Sequence, residues 1–422
     1  MARLEIDWTA CPAPREVVAT LRNAGHQAWL AGGCVRDLLL GLPPADYDVA
    51  TSATVEEVRT VFRRTVPVKP ELGVTMILWG DNRIEATTFR TEGAYLDGRR
   101  PSQVGPATAE LDVQRRDFTI NGLLLDPLTG EIADHVGGLA DLESGVLRCI
   151  RDPAERFGED HLRILRAIRF AVRFGFSIEP ATWDAMQCLS GQVGLLSGER
   201  IHEELEKMFA QGPFCRSLEL LLDSGTLFAI SPALAQALES PTARNRLSRW
   251  CENVFPPVPA LWPAVLGLPL CPWFEEFQPG PATAVQSAQE GLLERIRASR
   301  AEIDASRLVW TRWPILHPPL PRPSGLAPTF RDRHWPVLRA LLQCQIRSGL
   351  EPFPPLDQLD EIASRVPPAP PPLGQAFQDA GIPRGPRLGD AIREADRRIL
   401  DDGCSPTPEL VSEVAKSIMR GP

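Results

Sequence analysis

Residues Leu30 to Thr51 read LAGGCVRDLLLGLPPADYDVAT, and the reading of this stretch decides the fold. In order it holds a short apolar strand, a Gly-Gly turn, the first turns of a helix, a Pro-Pro break and two aspartates one residue apart. The segment Tyr47-Asp48-Val49-Ala50 reads as a strand, so Asp46 and Asp48 are expected to leave it on one face. Two carboxylates side by side repel, and a hard divalent cation relieves that repulsion. Mg²⁺ is usually held by one or two carboxylates, with substrate phosphates completing its shell. Gly32 and Gly33 let the backbone come close to an anion at a helix start. Arg36, one turn in, is placed to grip a phosphate. A phosphate cradle followed by a metal pair suits nucleotidyl transfer. A lone Gly-Gly with D-x-D also occurs in solvated loops, so the neighbouring segments carry the decision.

Gly73 to Trp79 reads as a strand, Gly80-Asp81-Asn82 as a turn, and Arg83 to Arg90, RIEATTFR, as the returning strand of a hairpin. On it Glu85, Thr87 and Phe89 share a face. Glu85 is therefore a candidate third carboxylate, or an ordinary strand-face acid. In Arg115-Arg116-Asp117, two arginines beside an acid suit a triphosphate or ribose, or else a surface ion pair.

With further segments the pattern becomes specific. The chain resembles the class II tRNA nucleotidyltransferases (CCA-adding enzymes) and bacterial poly(A) polymerases. The resemblance rests on GGCVRD (32–37), DYD (46–48), IEATTFR (84–90), RRDFTIN (115–121), DHVGGLADL (134–142), RFGEDHLRILRAIRF (156–170) and SGERIHEELEKMF (197–209). These cover the first half of the chain in the family's order and spacing; GIPRGPRLGDAI (381–392) is a weaker match. The resemblance implies a polymerase-beta-like α/β nucleotidyltransferase head followed by all-α neck, body and tail. It implies that Asp46 and Asp48 bind Mg²⁺, with Glu85 a less securely mapped catalytic carboxylate. It places Gly32, Gly33, Arg36 and Arg116, with Asp160, Arg163, Arg166 and Arg169, around the nucleotide. The implied substrates are CTP, ATP and the 3′ end of tRNA. Poly(A) addition, or addition of CC or A alone, are the alternatives. Leu72-Gly73-Val74-Thr75 departs from the family's usual His-Gly-Thr, and Tyr47 replaces an aliphatic residue and is expected to point away from the metal face. Between Arg90 and Arg115 lies a polar, glycine-containing stretch without a sustained period, read as a loop. In the resembled family a loop here is needed for the switch to ATP.

Glu159 to Phe170 reads as one helix, with Asp160 and Arg163 neighbours at i and i+3. A carboxylate only accepts, and a guanidinium only donates. Cytosine and adenine both present an amine beside a ring-nitrogen acceptor, which such a pair matches. Uracil and guanine present the reverse. The bland alternative is a salt bridge on a solvated face.

A chain of 422 residues is long enough for several domains. The expected boundaries are 1–142 for the head, 143–210 for a neck that selects the nucleotide, 211–350 for the body and 351–422 for a tRNA-binding tail. Ser197 is expected to cap a helix. FPPVPALWP (255–263) and HPPLPRPSGLAP (317–328) read as loops, and Pro367 to Pro372 as a stiff linker. No apolar run is long enough to span a membrane, and the first residues carry acids unlike a secretory signal, so a cytoplasmic protein is expected. Nine cysteines without C-x-x-C spacing read as free thiols. Cys34 is expected only to fill space. The net charge of −9 is awkward for an RNA-binding protein, so local basic surface is expected, with Arg63-Arg64, Arg99-Arg100, Arg115-Arg116 and the arginines of 163–173 as candidates.

Overall fold

Helix α1 (Ala13–Asn23) leads into strand β1 (Ala28–Ala31), and Gly32 then turns the chain into α2 (Gly33–Leu39). Gly32 has φ +75°, which favours glycine. Strand β2 (Asp48–Thr51) follows, then α3 (Val55–Val61), opened by a capping box between Thr54 and Glu57. Next come β3 (Thr65–Lys69), β4 (Val74–Trp79), β5 (Asn82–Thr88), β6 (Arg90–Glu92), β7 (Val104–Pro106), α4 (Ala109–Gln114), β8 (Leu123–Leu125), β9 (Ile132–Asp134) and α5 (Gly138–Ser144). This computed structural model describes residues 2–93, 103–239, 281–316, 320–347 and 354–420.

The main sheet has seven strands in the order β3-β4-β5-β2-β1-β8-β9. Its neighbours are antiparallel except β2 and β5, which run parallel. That parallel register sets Asp48 opposite Glu85 and Ala50 opposite Thr87. Ala31, Ala50, Phe89, Val113 and Leu124 form a buried cluster. Alternation along β2 and β5 puts Ala50 on the same face as Asp48 and Glu85, so the carboxylates stand beside an apolar floor.

Several expectations change in detail. Asp46 lies in the bend before β2, not on the strand. Gly73 precedes β4 with φ +71°, and Asn82 already belongs to β5. Tyr47 turns toward Trp8, with ring centroids 6.1 Å apart. The stretch between Arg90 and Arg115 is not wholly irregular: β6 pairs with β7, and α4 follows, capped by Thr108. Arg99-Arg100 and the rest of 94–102 lie outside the described residues.

After the sheet come β10 (Val146–Leu147), α6 (Pro153–Glu159), α7 (Leu162–Phe174), β11 (Ser177–Ile178) parallel to β10, α8 (Pro180–Leu189), α9 (Gly198–Gln211), α10 (Phe214–Asp223) and α11 (Thr226–Ile230). The single helix expected from Glu159 is two. Asp160 is extended (φ −146°, ψ 104°), and its carboxylate accepts the Leu162 N–H at 3.1 Å, capping α7. Ser197 stands at the N-cap of α9, but its hydroxyl makes no cap bond. Cys215 is disulfide-bonded, which corrects the expectation of nine free thiols. Cys11, Cys34, Cys149, Cys188 and Cys404 are free.

These elements form one compact unit, Met1–Ile230; Ser231–Pro422 forms a second. Its described helices are α12 (Pro232–Leu238), α13 (Pro281–Arg295), α14 (Arg300–Arg312), α15 (Pro323–Phe330), α16 (Trp335–Arg347), α17 (Leu356–Arg365), α18 (Gly374–Asp379), α19 (Pro386–Asp402) and α20 (Pro408–Arg420). The last three pack around Phe377, Ala391, Ala395 and Val414. Part of the expected Pro-rich loop is helix α15, with Pro323 in its first turn, where proline is tolerated. The stretch 255–263 lies outside the described residues. Among the described residues no helix is long and apolar enough to cross a membrane.

Candidate active site

Asp46, Asp48 and Glu85 meet where the start of β2 faces β5. Burial, and then the like charges of Asp46 and Glu85, push the Asp48 carboxyl up to about 7, against a smaller opposing pull from Arg116. A carboxylate held in this way takes a proton or a cation. Among the described residues, no three His, Cys, Asp or Glu side chains close into a ready-made cation site. The donor set is that of a hard cation whose shell substrate phosphates complete.

Arg116 reaches over Gly32. A Cβ added at Gly32 would lie 2.9 Å from Arg116 Nη1 and 3.9 Å from Asp48 Oδ2, so glycine keeps this corner open. Arg116 Nη2 donates to Asp112 at 3.2 Å, and Asp112 is almost fully buried. The Arg116 Nε is buried and lacks a hydrogen-bond partner. A buried donor left without an acceptor is costly, and an oxyanion beside it would satisfy it. Arg156, itself buried, holds this segment from below by donating to the carbonyls of Arg115 and Arg116.

Arg36 does not stand open to a phosphate. It is 3% exposed, and its Nε and Nη2 donate to Asp37 at 2.9 and 2.7 Å. Its Nη1 donates to Asn121 Oδ1 at 2.5 Å, and its guanidinium lies 4.6 Å from the Phe174 ring centroid. Asn121 donates to Asp117 at 3.0 Å, and Arg166 donates to the same carboxylate at 2.6 and 2.8 Å. Burial alone would raise the Asp117 carboxyl, but Arg166 and Asn121 hold it well below the usual range. Asp37 also accepts from Arg173 at 3.1 Å. A continuous chain of polar contacts thus joins α2 to α7. Arg169 is committed too: it pairs with Glu204 of α9 at 2.7 Å, both side chains buried.

Asp160 and Arg163 do not pair with each other. Arg200 of α9 donates to both Asp160 oxygens at 3.0 Å. Arg163 donates to Glu159 at 2.7 Å and to the Arg156 carbonyl at 2.9 Å. Each has a separate support that orients it. Cys34 is buried, and burial pushes its thiol up to about 12, in keeping with a space-filling role.

The sequence reading missed Asp112, Arg156, Glu159 and Arg200 as members of this assembly. Asp112 sits four residues before Arg116 on α4, a spacing that signals a helical ion pair. Arg156 pairs locally with Glu159 at i,i+3, but its hold on the Arg115 and Arg116 carbonyls, like the Arg200 bond to Asp160, joins residues distant in the chain and leaves no local signal.

A mixed sheet offering neighbouring carboxylates beside an arginine-covered glycine turn, with helices behind it, has the architecture of a polymerase-beta-like nucleotidyltransferase head. Residues 28–148 match the poly A polymerase head domain, and residues 175–238 match a probable RNA and SrmB-binding site of polymerase A. Both matches lie within the first 238 residues, and over that part the chain is similar to the poly(A) polymerase head and its RNA-binding neighbour. It is 44% identical to a CCA-adding enzyme of Streptococcus pneumoniae over 209 residues, 49% of this chain and 52% of that protein. It is 42% identical to that of Anoxybacillus flavithermus over 248 residues, 57% of this chain and 62% of the relative. The chain spans about half the length of the curated relatives it matches. In fold it is similar over 96% of both chains to a Bacillus stearothermophilus CCA-adding enzyme in complex with CTP, at a TM-score of 0.70 and 24% identity. A Thermotoga maritima CCA-adding enzyme complexed with tRNA gives a TM-score of 0.69 at 22% identity, over 98% of this chain and 96% of that one. Nucleotidyltransferases with a head of this kind generally use divalent metal ions.

Proposed function

We propose that this protein is a template-independent RNA nucleotidyltransferase that builds CCA at the 3′ end of tRNA from CTP and ATP. The observation that carries the reading is the corner where Asp48, flanked by Asp46 and Glu85, faces Arg116 over Gly32. Its clustered carboxylates favour a cation and its unpartnered Arg116 donor favours an oxyanion, and a metal-bound nucleoside triphosphate supplies both. The CCA-adding relatives support the RNA and the nucleotides as substrates.

In the proposed reaction the RNA 3′ hydroxyl releases its proton to solvent as its oxygen bonds to the α-phosphorus, the bridge to the β-phosphate breaks, and pyrophosphate leaves. Asp46 and Asp48 would hold Mg²⁺. When bound, it lowers the pKa of the attacking hydroxyl and shields the leaving oxygens. Arg116 donates its buried Nε–H to a phosphate oxygen, while Asp112 and Arg156 fix its place. Asp160 accepts the amine of cytosine or adenine, and Arg163 donates to the ring nitrogen. Glu159 and Arg200 keep these two side chains apart and aimed. Arg36, Arg166 and Arg169 act as positioning residues. The proposed work place is the cytoplasm, where tRNA is found.

The head-domain match also names poly A polymerases, which keeps homopolymer addition as the second reading. Sequencing the 3′ ends made from tRNA that lacks its CCA, with CTP and ATP together, separates the two. The expected product ends in a single CCA. A long A tail moves the assignment to poly(A) addition, and products ending in CC or unextended with CTP move it to partial enzymes.

A further inference from the structure

The arginines that looked available for RNA are mostly spent. Arg115, Arg163, Arg166, Arg169 and Arg173 all engage carboxylates. Yet within the second unit a cleft of about 550 Å³ runs between α14 and the turn that joins α15 to α16. It is lined by Arg307 and Arg312 on one wall and by Arg331, Arg333 and His334 on the other, with Asp304 and Asp332.

The two acids do not neutralise it. Asp304 pairs with Arg300 at 3.2 Å. Asp332 accepts the His334 backbone N–H at 2.8 Å and its ring nitrogen lies 3.0 Å away. Arg331 is held by Asp396 at 2.6 and 2.9 Å. Among the described residues, Arg307, Arg312 and Arg333 have no carboxylate partner. Arg307 and Arg333 are exposed, while the Arg312 Nε is buried without a hydrogen-bond partner. In a chain of net charge −9, three uncompensated guanidiniums facing one cleft are a concentration of positive potential.

We infer that this cleft binds phosphate oxyanions of an RNA backbone. The arginines come from two separate elements, α14 and the turn between α15 and α16, and this suits a strand of successive phosphates better than a single ion. Guanidiniums match phosphate oxygens in geometry as well as charge. The inference rests on the RNA substrate proposed above and gives it a second, non-catalytic contact.

The test uses the full-length protein with Arg307→Gln and Arg333→Gln combined, both at exposed positions. Affinity for a tRNA lacking CCA is measured by fluorescence anisotropy across a salt series, beside transfer of CMP to it at saturating RNA. Each lost phosphate contact lowers the slope of log affinity against log salt by about 0.7–0.9. The expected slope change is therefore roughly 1.5, with affinity falling about tenfold at moderate salt and transfer at saturation kept. An unchanged slope and affinity overturns the cleft while leaving the enzyme reading intact, because the parent still extends the RNA. A parent that neither binds nor extends tRNA overturns both. Calorimetry with inorganic phosphate tests the other source. Phosphate binding that the double variant loses without any loss of tRNA affinity makes this a free-anion site and overturns the RNA assignment.

Discussion

Asp48 is where the site's electrostatics become measurable. Its folded-state pKa of about 7 lies above the ordinary 3.8. Between those values the folded chain keeps a proton that the unfolded chain has released, so in metal-free buffer folding becomes less favourable as pH rises through this window. The contribution is most favourable below the ordinary value and is lost by the time pH passes 7. A scan of melting temperature from about pH 5 to about pH 7.5 should show a downward slope that Asp48→Asn largely removes. Equal slopes in parent and variant would mean that Asp48 is not under this pressure. A divalent cation competes with the same proton, so the stabilisation by Mg²⁺ should be larger at the upper end of the scan. Asp46→Ala and Asp48→Ala should each lower nucleotidyl transfer on the order of a hundredfold or more, with the far-ultraviolet spectrum unchanged. Residual activity within tenfold of the parent would remove these carboxylates from the metal site. That Asp46 and Asp48 stand near Glu85 was legible from the neighbouring segments in sequence. That Arg36 is buried among partners was not. An arginine one turn into a helix has the same spelling whether it meets a phosphate or the Asn121 carbonyl and a phenylalanine ring.

Among the elements, the β4–β5 hairpin was legible because two apolar runs flank Gly80-Asp81, and the turn chemistry leaves little choice. The parallel pairing of β2 with β5 was not, since register between strands distant in sequence is set by the assembled sheet. The break between α6 and α7 was hidden for a related reason: the apolar period runs on across it, and only the Asp160 cap reveals it. Because Arg200 and Glu159 support Asp160 and Arg163 separately, Asp160→Ala should relax base choice more than it weakens triphosphate binding. A lost base-edge contact is worth about 1–3 kcal/mol in duplex readout, so use of UTP relative to CTP should rise roughly tenfold or more in competition assays. Unchanged nucleotide ratios would return Asp160 to the status of a helix cap. Between α7 and α9, Glu204→Ala should destabilise the protein by about 3–5 kcal/mol in urea titration, by leaving Arg169 buried and unpaired. Pairing Arg169→Met with Glu204→Leu should recover much of that loss. Recovery would mark the pair as packing and leave no nucleotide contact to explain.

At the scale of the whole molecule, the division at Ile230 predicts how function separates. Residues 1–230 expressed alone should bind CTP about as the full chain does in calorimetry, and should lose most affinity for tRNA. Loss of CTP binding in that fragment would show that the nucleotide site needs the second unit. The network from Arg173 through Asp37, Arg36, Asn121 and Asp117 to Arg166 bears on a different kind of experiment. The sheet ends near residue 134, and the strands alone would suggest a cut soon after it. Yet two of its six residues, Arg166 and Arg173, belong to α7, and they fasten the turn that carries Gly32. A chimera that grafts this head onto a relative's helices has its true seam beyond Phe174. Cut earlier, the transplanted head would arrive with Asp37 and Asp117 facing a foreign helix, and the misfit would surface at the glycine turn, far from the splice.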